Sequence, residues 1–177
     1  MLTDVTHFAR IGLKGPMAGD WLQQRGIRIP DAANCWRVVG SSEEDIIVRL
    51  GSSEFLLEAA AKRASLQAIA DELTTPVSGV YPVLREDRAL VLAGEAADEV
   101  LAQVCNVNFS ALRAEACEAV MTLMIGVAVT VVPQGNAAQR RYRIWCDPSY
   151  GDYLWSSLQD VTHPYLSDTT RTPGGVR

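Results

Sequence analysis

The segment Ile11-Gly12-Leu13-Lys14-Gly15-Pro16-Met17-Ala18-Gly19-Asp20-Trp21-Leu22 returns 79 positions later as Leu90-Val91-Leu92-Ala93-Gly94-Glu95-Ala96-Ala97-Asp98-Glu99-Val100-Leu101. Each copy reads as an alternating strand, a tight turn at Gly15 or Gly94, and a helix. Ala18, Trp21 and Leu22 in one copy, and Ala97, Val100, Leu101 and Val104 in the other, recur at the spacing of one helical face. Pro16 suits a first helical turn, where its missing N–H costs nothing. A duplicated unit in 177 residues gives halves of about 85 residues, and a solenoid needs at least three stacked repeats. Two pseudo-symmetric halves sharing a core fit better.

After the first helix, Trp36-Arg37-Val38-Val39 reads as a strand. Ile46 to Leu50 and Phe55 to Leu57 alternate about Gly51-Ser52-Ser53 as a hairpin. A helix over about Ala59 to Leu73 presents Leu66, Ile69, Ala70 and Leu73 on one face and stops at Thr74-Thr75-Pro76. The second half repeats the order. It has an entry strand Val77 to Leu84, the repeat unit, a loop around Asn106 to Ser110, one long buried strand Val120 to Val132, and a strand in which Tyr142, Ile144 and Cys146 alternate with Arg141, Arg143 and Trp145. A last helix opens at Asp147-Pro148 and ends at His163-Pro164. The expected fold is α+β, with two ferredoxin-like half-domains whose antiparallel sheets carry helices on one face. Residues 1–166 should form one compact unit of halves 9–76 and 77–166. The tail 167–177, rich in Thr, Pro and Gly, has nothing to bury and is expected to be disordered.

Sixteen basic against 21 acidic residues, a net charge of −5, remove any global pull toward nucleic acid or an anionic membrane. The start lacks a basic region followed by an apolar run, so no signal peptide is expected. The most apolar run, Val120 to Val132, is shorter than the roughly 20 residues of a membrane helix. Cys35, Cys105, Cys117 and Cys146 are widely spaced and have only His7 and His163 as nitrogen partners, which reads as buried thiols in a reducing cytoplasm and not as a metal site. Neither histidine has a nucleophile near it in sequence, so no catalytic residue is expected. Gly15-Pro16-Met17-Ala18 departs from both phosphate-binding fingerprints, and Pro16 removes an N–H such a cradle would use.

Arg140, Arg141 and Arg143 form the densest basic patch, read either as a solvated strand edge or as contacts to an anionic ligand tail or an acidic partner surface. Arg49 either pairs with Glu54 across its hairpin or joins that anion site. Trp21, Trp36, Trp145 and Trp155 are many for a chain this size; some should be core, and those left outside are candidates for a partner interface.

Lys14-Gly15-Pro16-x-Ala18-x-x-Trp21-Leu22, Arg49-Leu50-Gly51-Ser52-Ser53-Glu54-Phe55-Leu56-Leu57 and Leu92-Ala93-Gly94-x-x-Ala97-x-x-Val100-Leu101-Ala102 together resemble the gamma subunit of heterotetrameric sarcosine oxidase, within the superfamily of the glycine-cleavage T-protein and other folate-dependent aminomethyltransferases. The resemblance runs from about Ala9 to Leu158. It implies an accessory chain without catalytic residues, in an assembly whose alpha-type and other subunits hold FAD, FMN, NAD and tetrahydrofolate while sarcosine is oxidatively demethylated. The sequence departs from that pattern at Val80-Tyr81-Pro82-Val83, Asn108-Phe109, Met121-Thr122 and Cys146-Asp147-Pro148-Ser149. Similar chains occur in N-methylglutamate dehydrogenase and related amine-demethylating assemblies. The other reading is a stand-alone or dimeric folate-binding, aminomethyltransferase-like protein, whose duplicated halves leave a cleft for tetrahydrofolate with Arg49, Arg140, Arg141 and Arg143 on its anionic tail.

Overall fold

The computed structural model describes residues 1–40, 42–60, 64–112, 117–136 and 139–167. The expected tail falls almost wholly outside them. The elements run β1 (Leu2–Asp4), β2 (Ala9–Lys14), α1 (Ala18–Gln24), β3 (Cys35–Val38), β4 (Ile46–Arg49), β5 (Glu54–Ala59), α2 (Ala64–Glu72), β6 (Tyr81–Val83), β7 (Arg88–Ala93), α3 (Ala97–Val104), β8 (Val120–Met124), β9 (Val127–Asn136), β10 (Gln139–Cys146) and α4 (Gly151–Ser167). Two antiparallel sheets result, in the orders β3-β4-β5-β2-β6 and β8-β9-β10-β7-β1. The fold is α+β, and each order is the other shifted by one half.

The duplication holds in detail. Gly15 and Gly94 both have positive φ, 128° and 121°, the region that favours glycine. The Gly15 N–H donates to the Ser53 carbonyl and the Gly94 N–H to that of Arg140. Ala18 and Ala97 then donate back to the carbonyls of Gly15 and Gly94. Ile11 and Leu13, like Leu90 and Leu92, point to the helical side of their sheets. There α1 and α2 cover the first sheet through Trp21, Leu22, Leu66 and Ile69, while α3 and α4 cover the second through Val100, Leu101, Leu154 and Leu158. A third apolar cluster joins the inner faces of the two sheets. It is built from Ile46, Val48 and Leu56 on one side and Ala89, Val91, Val132 and Trp145 on the other. The layers therefore stack helix, sheet, sheet, helix.

Four local expectations change. The run Val120 to Val132 is two strands, because Ile125 and Gly126 both adopt positive φ (50° and 81°) and turn the chain between β8 and β9. Ala59 ends β5 opposite Ala9 instead of opening a helix. Pro164 lies within α4, which runs on to Ser167. Tyr81–Val83, expected to enter the second half, pairs with β2 as the edge of the first sheet, and β1 takes the same place beside β7 in the second.

Candidate functional site

Strand alternation aims the inner-face side chains of β5 and β10 at each other, and Glu58, Arg141, Arg143 and Trp145 among them are charged or polar-tipped. Glu58 and Arg143 have fully buried side chains. Arg143 Nη1 donates to Glu58 Oε1 at 2.7 Å, and the Trp145 indole N–H donates to Glu58 Oε2 at 2.7 Å. From β2, Arg10 Nη1 reaches Glu58 Oε2 at 2.8 Å, while Arg10 Nη2 donates to the Thr6 carbonyl at 2.6 Å. Arg143 Nη2 also donates to Glu44 Oε2 at 2.7 Å and Nη1 to the Glu44 carbonyl at 3.0 Å. Arg141 forks onto both oxygens of the same carboxylate. Burial draws the Arg143 guanidinium below its ordinary value, with Glu58 and Glu44 opposing that shift. The Arg141 hydrogen bond, against some burial, holds the Glu44 carboxyl below its ordinary 4.5. These residues form an ionic seam between the two sheets.

The expected anion contacts are thus differently employed. Arg143 and Arg141 lie on β10, a central strand between β7 and β9 and not a solvated edge, and their charge goes to Glu58 and Glu44. Arg140 Nε lies 3.4 Å from Asp98 Oδ2, and Asp98 also accepts from the Tyr142 hydroxyl, whose pKa burial pushes well above its ordinary range. Arg140 and Arg141 still line a cavity of about 350 Å³ with Glu43, Gly94 and Gln134. Arg49 meets neither these residues nor Glu54, which pairs with Arg85 at 2.6 Å. Instead it donates to the carbonyls of Asp31 (2.9 Å), Ser52 (2.8 Å), Pro30 and Gly51 (both 3.3 Å), stapling two loops.

Of the tryptophans, Trp21 and Trp145 are core residues and leave the list of interface anchors. Trp21 is held under the Arg25 guanidinium, 3.5 Å from the ring centroid. Trp36 and Trp155 are half-buried against the inter-sheet and second helical cores. The apolar groups that do reach solvent are others. Met121 (57 % exposed) and Leu123 (62 %) project from β8 on the inner-face side, beyond the part of that face covered by the first sheet. The missed signals are charges at inward positions of apolar strands, Arg10 after Ala9 and Glu58 after Leu56-Leu57. Strand polarity alone does not say that these two meet.

Nothing here assembles a reaction centre among the described residues. Both histidines are exposed. The Cys146 thiol is pushed up to about 11, by burial first and then by Asp147, and stays protonated at neutral pH. Among the described residues, no group of three His, Cys, Asp or Glu side chains is placed to hold a metal ion. No helix among the described residues is long and apolar enough to cross a membrane.

No protein-family model matches this sequence, and no curated protein matches it. Solved structures do. A chain of the heterotetrameric sarcosine oxidase of Corynebacterium sp. U-96, solved in complex with pyrrole 2-carboxylate, superposes with a TM-score of 0.71 at 21 % identity, covering 99 % of this chain and 87 % of that one. The glycine cleavage system aminomethyltransferase T of Bartonella henselae superposes with a TM-score of 0.65 at 17 % identity, over 89 % of this chain but only 45 % of its own length. The duplicated halves, the paired five-stranded sheets and these superpositions together give the chain the T-protein-like α+β fold.

Proposed function

We infer that this chain is a non-catalytic accessory subunit, of the sarcosine oxidase gamma type, in a cytoplasmic amine-demethylating flavoenzyme complex. The observation that carries the reading is the reciprocal match to one chain of a heterotetrameric sarcosine oxidase, nearly complete on both sides. The ionic seam supports it, because the arginines best suited to an anionic ligand tail are already paired with Glu44, Glu58 and Asp98. In this reading flavins and folate sit on the larger subunits. The exposed Met121 and Leu123 continue the inner sheet face beyond its internal contact and offer a larger subunit an apolar strip to cover.

Co-expression with alpha-, beta- and delta-type subunits, followed by size-exclusion chromatography, tests this reading. A stable complex in which Met121→Ser and Leu123→Ser weaken co-elution supports the role. Failure of wild type to co-elute, or tetrahydrofolate binding by the isolated chain, turns the assignment toward the folate-binding class to which the aminomethyltransferase-like fold also lends itself.

A further inference from the structure

We propose that a cavity between the end of α1 and β3, framed by Gln23, Arg28, Asp31 and Arg37, binds a small oxyanion: a carboxylate or phosphate group. The arginines of the ionic seam, and Arg25, Arg85, Arg88 and Arg140, each have a carboxylate within ion-pair distance. Arg28 and Arg37 have none among the described residues. Arg28 is exposed. Arg37 is half-buried on β3 and uses one guanidinium nitrogen, Nη1, on the Ile29 carbonyl at 3.2 Å. Both line a cavity of about 380 Å³, whose only acid among the described residues is Asp31. That excess of positive charge stands out on a chain whose net charge is −5.

The walls are set in advance. The Ile27 N–H donates to the Leu22 carbonyl at the end of α1, and Arg49 holds the carbonyls of Pro30 and Asp31 from the other side. A loop pinned at both ends spends little freedom on closing round a ligand. Guanidinium groups favour oxyanions because their N–H forks match two oxygens at once, and a half-buried one is less screened than one in bulk water. The volume suits a small metabolite and not a macromolecular segment.

Calorimetric titration of the full chain with inorganic phosphate, glutarate and the neutral glutaramide decides the matter, and the tighter of the two anions identifies the headgroup. The expected result is millimolar or tighter binding of at least one anion and none of glutaramide. Arg28→Gln and Arg37→Gln should each weaken binding about fivefold or more, and Asp31→Asn should tighten it. Arg28→Gln alters only an exposed side chain, so a thermal melt matching wild type keeps its result readable. The proposal is overturned by no anion binding at about 20 mM, by equal binding of glutaramide, or by affinity indifferent to both arginine variants, which would move the ligand to the Arg140 and Arg141 cavity.

Discussion

The two halves agree on their helical faces and disagree on the faces they turn to each other. In the pair β2–β5, Gly12 stands opposite Leu56 and Arg10 opposite Glu58. At the equivalent places in β7–β10, Val91 stands opposite Arg143 and Ala89 opposite Trp145. A small-and-large apolar pair in one half thus corresponds to an apolar-and-cationic pair in the other, and a salt-bridged pair corresponds to Ala and Trp. The helical faces need only the same stripe of Leu, Ile, Val and Ala, so the repeat survives there. The inner faces must fit one another, and two identical faces carrying Glu58 would oppose like charges. Divergence has made them complementary.

Removing the acid at the centre of the seam is expected to break this complementarity most severely. Glu58→Gln leaves Arg10 and Arg143 without their shared carboxylate and should cost about 3–5 kcal/mol, read as a lowered denaturant midpoint. Arg143→Met should cost less, since Glu58 keeps Arg10 and the Trp145 N–H. Equal losses would mean that the seam is not centred on Glu58.

Where the halves agree, equivalent cuts should cost alike. Leu13→Ala and Leu92→Ala both empty fully buried sites and should each lose about 2–5 kcal/mol in urea unfolding. A large gap between them would mean that one helical layer is much better able to collapse than the other. The turn glycines sharpen the same comparison. A Cβ at Gly15 would stand 2.3 Å from the Gly79 carbonyl oxygen, whereas at Gly94 the nearest atom is the Met1 nitrogen at 3.5 Å. Gly94→Ala should therefore cost only the left-handed backbone penalty, about 1–2 kcal/mol, and Gly15→Ala distinctly more by thermal melt.

Acid should reach the seam at its more exposed end. Because Glu44 titrates below its ordinary 4.5 in the folded chain, its contribution is fully present above that pH and is lost as pH falls through the depressed folded value. Stability measured against pH should show a shallower acid limb in Glu44→Gln than in wild type. The smallest effect on stability belongs to Met121→Ser, within about 0.5 kcal/mol, because its side chain projects into solvent; its consequence is expected in co-elution alone.

The repeat makes the strand-turn-helix units, their buried helical faces and the α+β class legible in the sequence. What escaped was decided by tertiary context. Ile125 is β-branched, and nothing in its type announces the left-handed turn it makes with Gly126; pairing of β8 with β9 imposes that turn. Arg143 was legible as part of a basic cluster but not as a core residue, since its partners Glu44 and Glu58 lie 99 and 85 positions away. Arg28 and Arg37 are isolated in sequence, and only the fold of the loop between α1 and β3 sets them on one cavity.

The placement of the two edge strands bears on how the chain can be assembled and cut. The first sheet takes its last strand from Tyr81–Val83, and the second takes its last from Leu2–Asp4, which finds Leu90–Leu92 only after almost ninety residues have been made. During synthesis β1 stays without its β7 partner until residues 90–92 have been made. A division at residue 76 strips one strand from each sheet and leaves the open backbone edges that invite aggregation. Fragments that keep residues 81–83 with the first sheet, and graft residues 1–5 onto the second, are the ones with a prospect of folding apart and recombining.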